Sequence, residues 1–75
     1  MKISYKGDSE GLRIYFNGIL QLRIPRNKDV ILHSWLKTDT KLFYIEIKFP
    51  NNSIIVEYED KNTWEEVLRL LNKNI

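Results

Sequence analysis

The sequence predicts an α+β domain: an antiparallel meander of about six short strands, curled or partly closed into a barrel, with one C-terminal helix packed on the sheet. Three observations carry this. The middle of the chain alternates apolar and polar residues with a period of two over residues 30–37, 42–49 and 54–59. Asn17-Gly18 stands between two apolar runs, the strongest short hairpin signal. From Thr63 the apolar spacing lengthens to that of a helix.

Taken in order, residues 2–6 form a short strand with Ile3 and Tyr5 on one face. Gly7-Asp8-Ser9-Glu10-Gly11 breaks the pattern with two glycines and reads as a loop. Residues 12–16 and 19–24 are strands around Asn17-Gly18. A two-residue loop there would turn Leu20, Leu22 and Ile24 to the face of Arg13 and Tyr15. A type I turn with Gly18 as a bulge pairs Tyr15 with Ile19 and Ile14 with Leu20 instead. That gathers Leu12, Ile14, Leu20, Leu22 and Ile24 on one face, so the bulged turn is expected, with Phe16 in the loop. Pro25 ends the third strand or keeps it at an edge, having no N–H for a ladder.

Thr38-Asp39-Thr40-Lys41 turns the chain and sets Trp35 opposite Tyr44 and Leu36 opposite Phe43. Pro50-Asn51-Asn52-Ser53 turns it again, with Phe49 expected opposite Ile54 and Ile47 opposite Val56. A slip of one residue would turn every apolar side chain to water, so parity is strongly specified. The helix is expected over residues 63–73. Thr63 is its N-cap, Glu66 closes a capping box, and Glu65 and Glu66 sit at the positive end of the dipole. Trp64, Val67, Leu68, Leu71 and Ile75 make its apolar stripe, with Trp64 as the anchor on the sheet.

Seventy-five residues make one domain, 1–75, near the size where a single core supplies only a few kcal/mol. There is no cysteine for a disulfide or a thiolate metal site. With no apolar run long enough for a bilayer and no signal-peptide pattern, a soluble, cytoplasmic protein without membrane partners is expected. Asn51-Asn52-Ser53 then reads as turn rather than glycosylation site. Net charge is +2, too small to imply a polyanion by itself. It is unevenly spread: residues 1–37 hold seven Lys/Arg against three Asp/Glu, net +4, and residues 38–75 five against seven, net −2.

In element order the chain resembles small barrels capped by a terminal helix, among them pleckstrin-like and SH3-like domains and the small basic archaeal chromatin proteins. The resemblance lies in order alone and implies no function. The sheet with which those chromatin proteins read DNA is strongly basic. The expected outer face here carries Glu46, Glu57 and Glu59.

Chemistry is sparse. Gly7-Asp8-Ser9-Glu10-Gly11 matches the G-x-S-x-G elbow, but that motif needs a strand-to-helix turn above a large sheet. With one histidine and no phosphate loop, no enzyme is expected, and no cofactor or metal. His33 is expected in a row with Glu46 and Glu57, yet the ends of such a row lie about 9–10 Å apart, awkward for one ion.

The outer face is the unusual feature. It sets Trp35 against Tyr44, flanked by Leu42 and Ile55, where a solvated sheet would carry small or charged residues. Interfaces enrich aromatics of this kind. The leading expectation is therefore a small protein-interaction module of adaptor, inhibitor or immunity type. It would bind a protein partner or a second copy through Trp35, Tyr44, Leu42 and Ile55. Two intramolecular readings compete: the first hairpin could close over this face, or the rings could be an ordinary cross-strand pair. The alternative function is nucleic-acid binding through Arg13, Tyr15, Arg23, Arg26 and Lys28, where cations flank an aromatic on the outer face of the first hairpin.

Overall fold

The computed structural model describes residues 1–26 and 29–74. The element order is β1 (Ile3–Asp8), β2 (Gly11–Phe16), β3 (Ile19–Pro25), β4 (Ile31–Lys37), β5 (Leu42–Lys48), β6 (Ser53–Tyr58) and α1 (Lys61–Asn74). The strands form two antiparallel three-stranded meanders, β1-β2-β3 and β4-β5-β6. No ladder joins them among the described residues, so the barrel does not close. The core lies where three surfaces meet. Leu12, Ile14, Leu22 and Ile24 come from the first sheet, Ile45 and Ile47 from the second, and Val67, Leu70 and Leu71 from α1.

The second sheet keeps the expected parity. Leu32, Ser34 and Leu36 stand opposite Ile47, Ile45 and Phe43, and Trp35 opposite Tyr44. The β4–β5 turn closes with the Lys41 N–H donating to the Lys37 carbonyl, 2.8 Å. Lys41 has φ 57°, left-handed backbone in which a Cβ is unfavourable. Lys41→Gly is expected to stabilise the domain by about 0.5–1 kcal/mol and raise its melting temperature by several degrees, read by thermal denaturation.

Two turns differ from expectation. At Asn17-Gly18 the bulged turn does not form. Phe16 pairs with Ile19, and Asn17 (φ 52°) and Gly18 (φ 80°) make the two-residue type I′ loop. The bulge sits further along instead. Tyr15 pairs with Leu20 and Ile14 with Leu22, leaving Gln21 unpaired. The inner face is thus recovered without Leu20, which is half exposed. Phe16 ends β2 rather than sitting in the loop, and its ring meets Tyr58 at 6.2 Å. Burial around Tyr58 raises its phenol pKa above the ordinary 10.0.

At the β5–β6 turn the register moves by two. Ile47 pairs with Ile54, Ile45 with Val56 and Phe43 with Tyr58. Only Pro50-Asn51 turns, because the Phe49 N–H donates to the Asn52 carbonyl at 2.8 Å and extends the ladder. Proline's fixed φ suits the first central turn position. Parity survives a shift of two, so the faces are unchanged.

The helix begins two residues before the expected start. Asp60, not Thr63, is the cap. Its carboxylate accepts the Thr63 N–H at 3.0 Å and the Thr63 hydroxyl at 2.7 Å. Thr63 is buried at the third helical position, and no acidic residue occupies the first turn. Glu66 instead pairs with Arg69 one turn on. The buried stripe is Thr63, Val67, Leu70 and Leu71, with Trp64 and Leu68 half buried. Leu70 was not in the expected stripe, and Ile75 lies outside the described residues.

The hydrogen bonds from Thr63 hold the Asp60 carboxyl below its ordinary 3.8. A depressed acid contributes stability above its unfolded pKa, and that contribution is lost as pH falls through the folded value. Asn caps well but does not titrate. Asp60→Asn is therefore expected to melt near the wild type at neutral pH and to lose less stability below pH 3.8. Parallel melting curves at both pH values would remove the cap from the acid response.

Candidate protein-interaction face

The outer face of β4-β5-β6 is built by parity and exposed by packing. The helix lies against β5 and β6 on the opposite side. Trp35, Tyr44, Leu42, Ile31 and Ile55 all stand outside the core and the side chains packed on it. The first hairpin does not close over this face, so that intramolecular reading falls. Ile31 is 55% exposed and Ile55 57%, while Trp35, Tyr44 and Leu42 are half buried by their neighbours.

Trp35 and Tyr44 stack with centroids 5.3 Å apart and planes 7° from parallel. The Lys37 ammonium stands 5.5 Å from the Tyr44 ring centroid, within cation–π range. From beneath, the Trp64 indole N–H donates to the Tyr44 carbonyl at 3.0 Å, and its ring meets Phe43 at 5.1 Å. The expected anchor thus pins the helix and also fixes the backbone that carries Tyr44. Trp35, Tyr44, Leu42 and Ile55 are brought to one face, as the alternation predicts.

The register shift changes their neighbours. Across the sheet, the rows are Trp35–Tyr44–Glu57, His33–Glu46–Ile55 and Ile31–Lys48–Ser53. Glu57 therefore lies beside Tyr44 and not in the row of His33, so the expected His33, Glu46 and Glu57 row does not form. His33 Nδ1 stands 3.6 Å from Glu46 Oε1. No group of three metal-ligating side chains occurs among the described residues. Lys37 and Glu57 were not among the expected site residues. Reading Pro50-Asn51 as a two-residue turn would have placed Glu57 in the row.

The alternative basic face is more committed. The Arg13 guanidinium pairs with Asp8 at 2.8 Å and reaches Glu10 at 3.8 Å. Asp8 is held below the ordinary carboxyl pKa first by the Glu10 N–H and then by the Arg13 charge. Arg23 lies directly opposite Arg13, and Tyr15 opposite Leu20. Arg26 is exposed beyond β3, and Lys28 lies outside the described residues.

The G-x-S-x-G residues form the β1–β2 hairpin turn. Asp8 pairs with Gly11, and Asp8 Oδ1 accepts the Glu10 N–H at 2.9 Å. A cleft of about 610 Å³ opens beside it, lined by Ser9, Leu12, Ile24, Arg26 and Asn74 among others. The serine stands on a strand-to-strand turn, without the strand-to-helix geometry a nucleophile elbow needs. No described helix is long and apolar enough to cross a membrane. Comparison with known proteins finds no matching family model, no matching curated protein and no matching solved structure.

Proposed function

We propose that this protein is a small non-catalytic protein-interaction module, of adaptor, inhibitor or immunity type, acting through Trp35, Tyr44, Leu42 and Ile55. The observation that carries this reading is the stacked Trp35–Tyr44 pair on the sheet face turned away from the helix. An aromatic pair at the centre of a face with charged edges fits a hot spot inside a polar rim. Lys37, Glu57 and the His33–Glu46 pair supply that rim. The basic hairpin supports nucleic-acid binding less well, because Arg13 is already paired with carboxylates of its own chain.

Trp35→Ala separates a binding role from a structural one. Losing an aromatic pair costs about 0.5–1.5 kcal/mol beyond its buried area, a melting shift of about 10 °C or less. The variant is expected to stay folded by circular dichroism. Proteins retained by the immobilised wild type, a second copy included, are expected to be lost from it. A variant that unfolds, or one that retains the same proteins, overturns the reading.

A further inference from the structure

We infer that the partner of the Trp35–Tyr44 face is a second copy of this chain, held by a two-fold axis parallel to the strands and passing between β4 and β5. This rests on the proposed interaction role and names its partner. The argument is self-complementarity. Such an axis keeps each row at its own height and lays β4 of one copy over β5 of the other. Trp35 then faces the partner's Tyr44, and His33 the partner's Glu46. Lys37 faces the partner's Leu42, and Ile31 the partner's Lys48. Every facing pair is aromatic with aromatic, imidazole with carboxylate, or a long lysine stem over an aliphatic side chain. Each contact occurs twice.

Other axes fare worse. One over β5 would set Glu46 against Glu46 and Lys48 against Lys48, like charges that oppose docking. One across the strands and centred on the sheet would lay Lys48 over Leu42 and Glu46 over Tyr44, and would leave the imidazoles without carboxylates. Of these three, the axis between β4 and β5 matches both the rings and the charges. The overlap of β4 and β5, each seven residues long, gives a flat footprint of about 10 × 23 Å. That lies below the size of stable specific interfaces, so the dimer is weak and transient and its population follows concentration.

Sedimentation velocity of the full chain from micromolar to millimolar concentration reads this directly. The wild type is expected to pass from monomer to dimer, and Trp35→Ala to remain monomeric. His33→Glu makes positions 33 and 46 both acidic, so it opposes its own copy. Glu46→Lys makes them basic or neutral and removes the attraction. Each alone is expected to weaken self-association about tenfold or more. Mixed together they restore dimers, because each then faces its opposite. Both positions lie on the outer face, so folding is retained, as circular dichroism verifies.

A wild type that stays monomeric overturns the inference. A dimer indifferent to both charge changes overturns the face, and a mixture that fails to restore pairing overturns the axis. A monomer that still retains a foreign protein through Trp35 overturns only the second-copy partner. A monomer with no Trp35-dependent retention removes the interaction role as well.

Discussion

Gly11→Ala is expected to unfold the domain. Gly11 has φ 133°, and a Cβ built there would lie 2.1 Å from the Ile24 carbonyl oxygen. It would also stand 2.9 Å from the Arg26 nitrogen and the Pro25 Cα. These are backbone atoms of the neighbouring strand and cannot swing aside as a flexible side chain does. The β2–β3 ladder runs through this contact, with Gly11 paired to Pro25 and Leu12 to Ile24. Opening it pulls Leu12 and Ile24 from the core. Strained backbone and a broken ladder together cost about 3 kcal/mol or more, against a total of only a few kcal/mol for a domain of this size. Gly18→Ala is the control. Its φ of 80° also disfavours a side chain, but no atom lies within 4 Å, so it loses only about 1–2 kcal/mol. Thermal melts compare the two directly. Equal losses would mean that backbone conformation, and not the close approach, governs Gly11.

The second large effect divides the two faces of the same sheet. Ile47→Ala removes a side chain with no exposure from the core that both sheets and the helix build. Truncations of this kind cost about 2–5 kcal/mol, because the surroundings only partly refill the cavity. Ile55→Ala, one strand over and on the other face, is expected to stay within about 0.5 kcal/mol. Denaturant midpoints at unchanged slope measure both. Were Ile55→Ala as costly as Ile47→Ala, the outer face would be covered and the proposed recognition surface lost.

The candidate face was legible because alternation is a local property. Trp35 and Tyr44 sit at positions whose neighbours, Leu36 and Phe43, belong to the opposite face, and no turn that preserves parity can reverse them. Exact neighbours were less legible. Asn17-Gly18 was expected to yield to the need for a coherent apolar face. The structure satisfies both by keeping the tight turn and placing the extra residue at Gln21. Asp60 is hidden as a cap in the sequence because Thr63 and Glu66 also match a capping box. The carboxylate wins by accepting both the N–H and the hydroxyl of Thr63. Burial of Leu70 depends on the first sheet arriving beside the helix, where Lys73 stands 5.9 Å from the Tyr5 ring.

The sequence by itself determined the meander, the terminal helix and which side chains of the second sheet share a face. Strand period, turn residues and helical spacing are written within a few residues of each position. Only the tertiary structure decided that the strands part into two sheets, that the first hairpin leaves Trp35 and Tyr44 open, and that Glu57 rather than Glu59 stands in their row. Those outcomes depend on which distant surfaces bury each other best, and on a two-residue register choice to which alternation is blind.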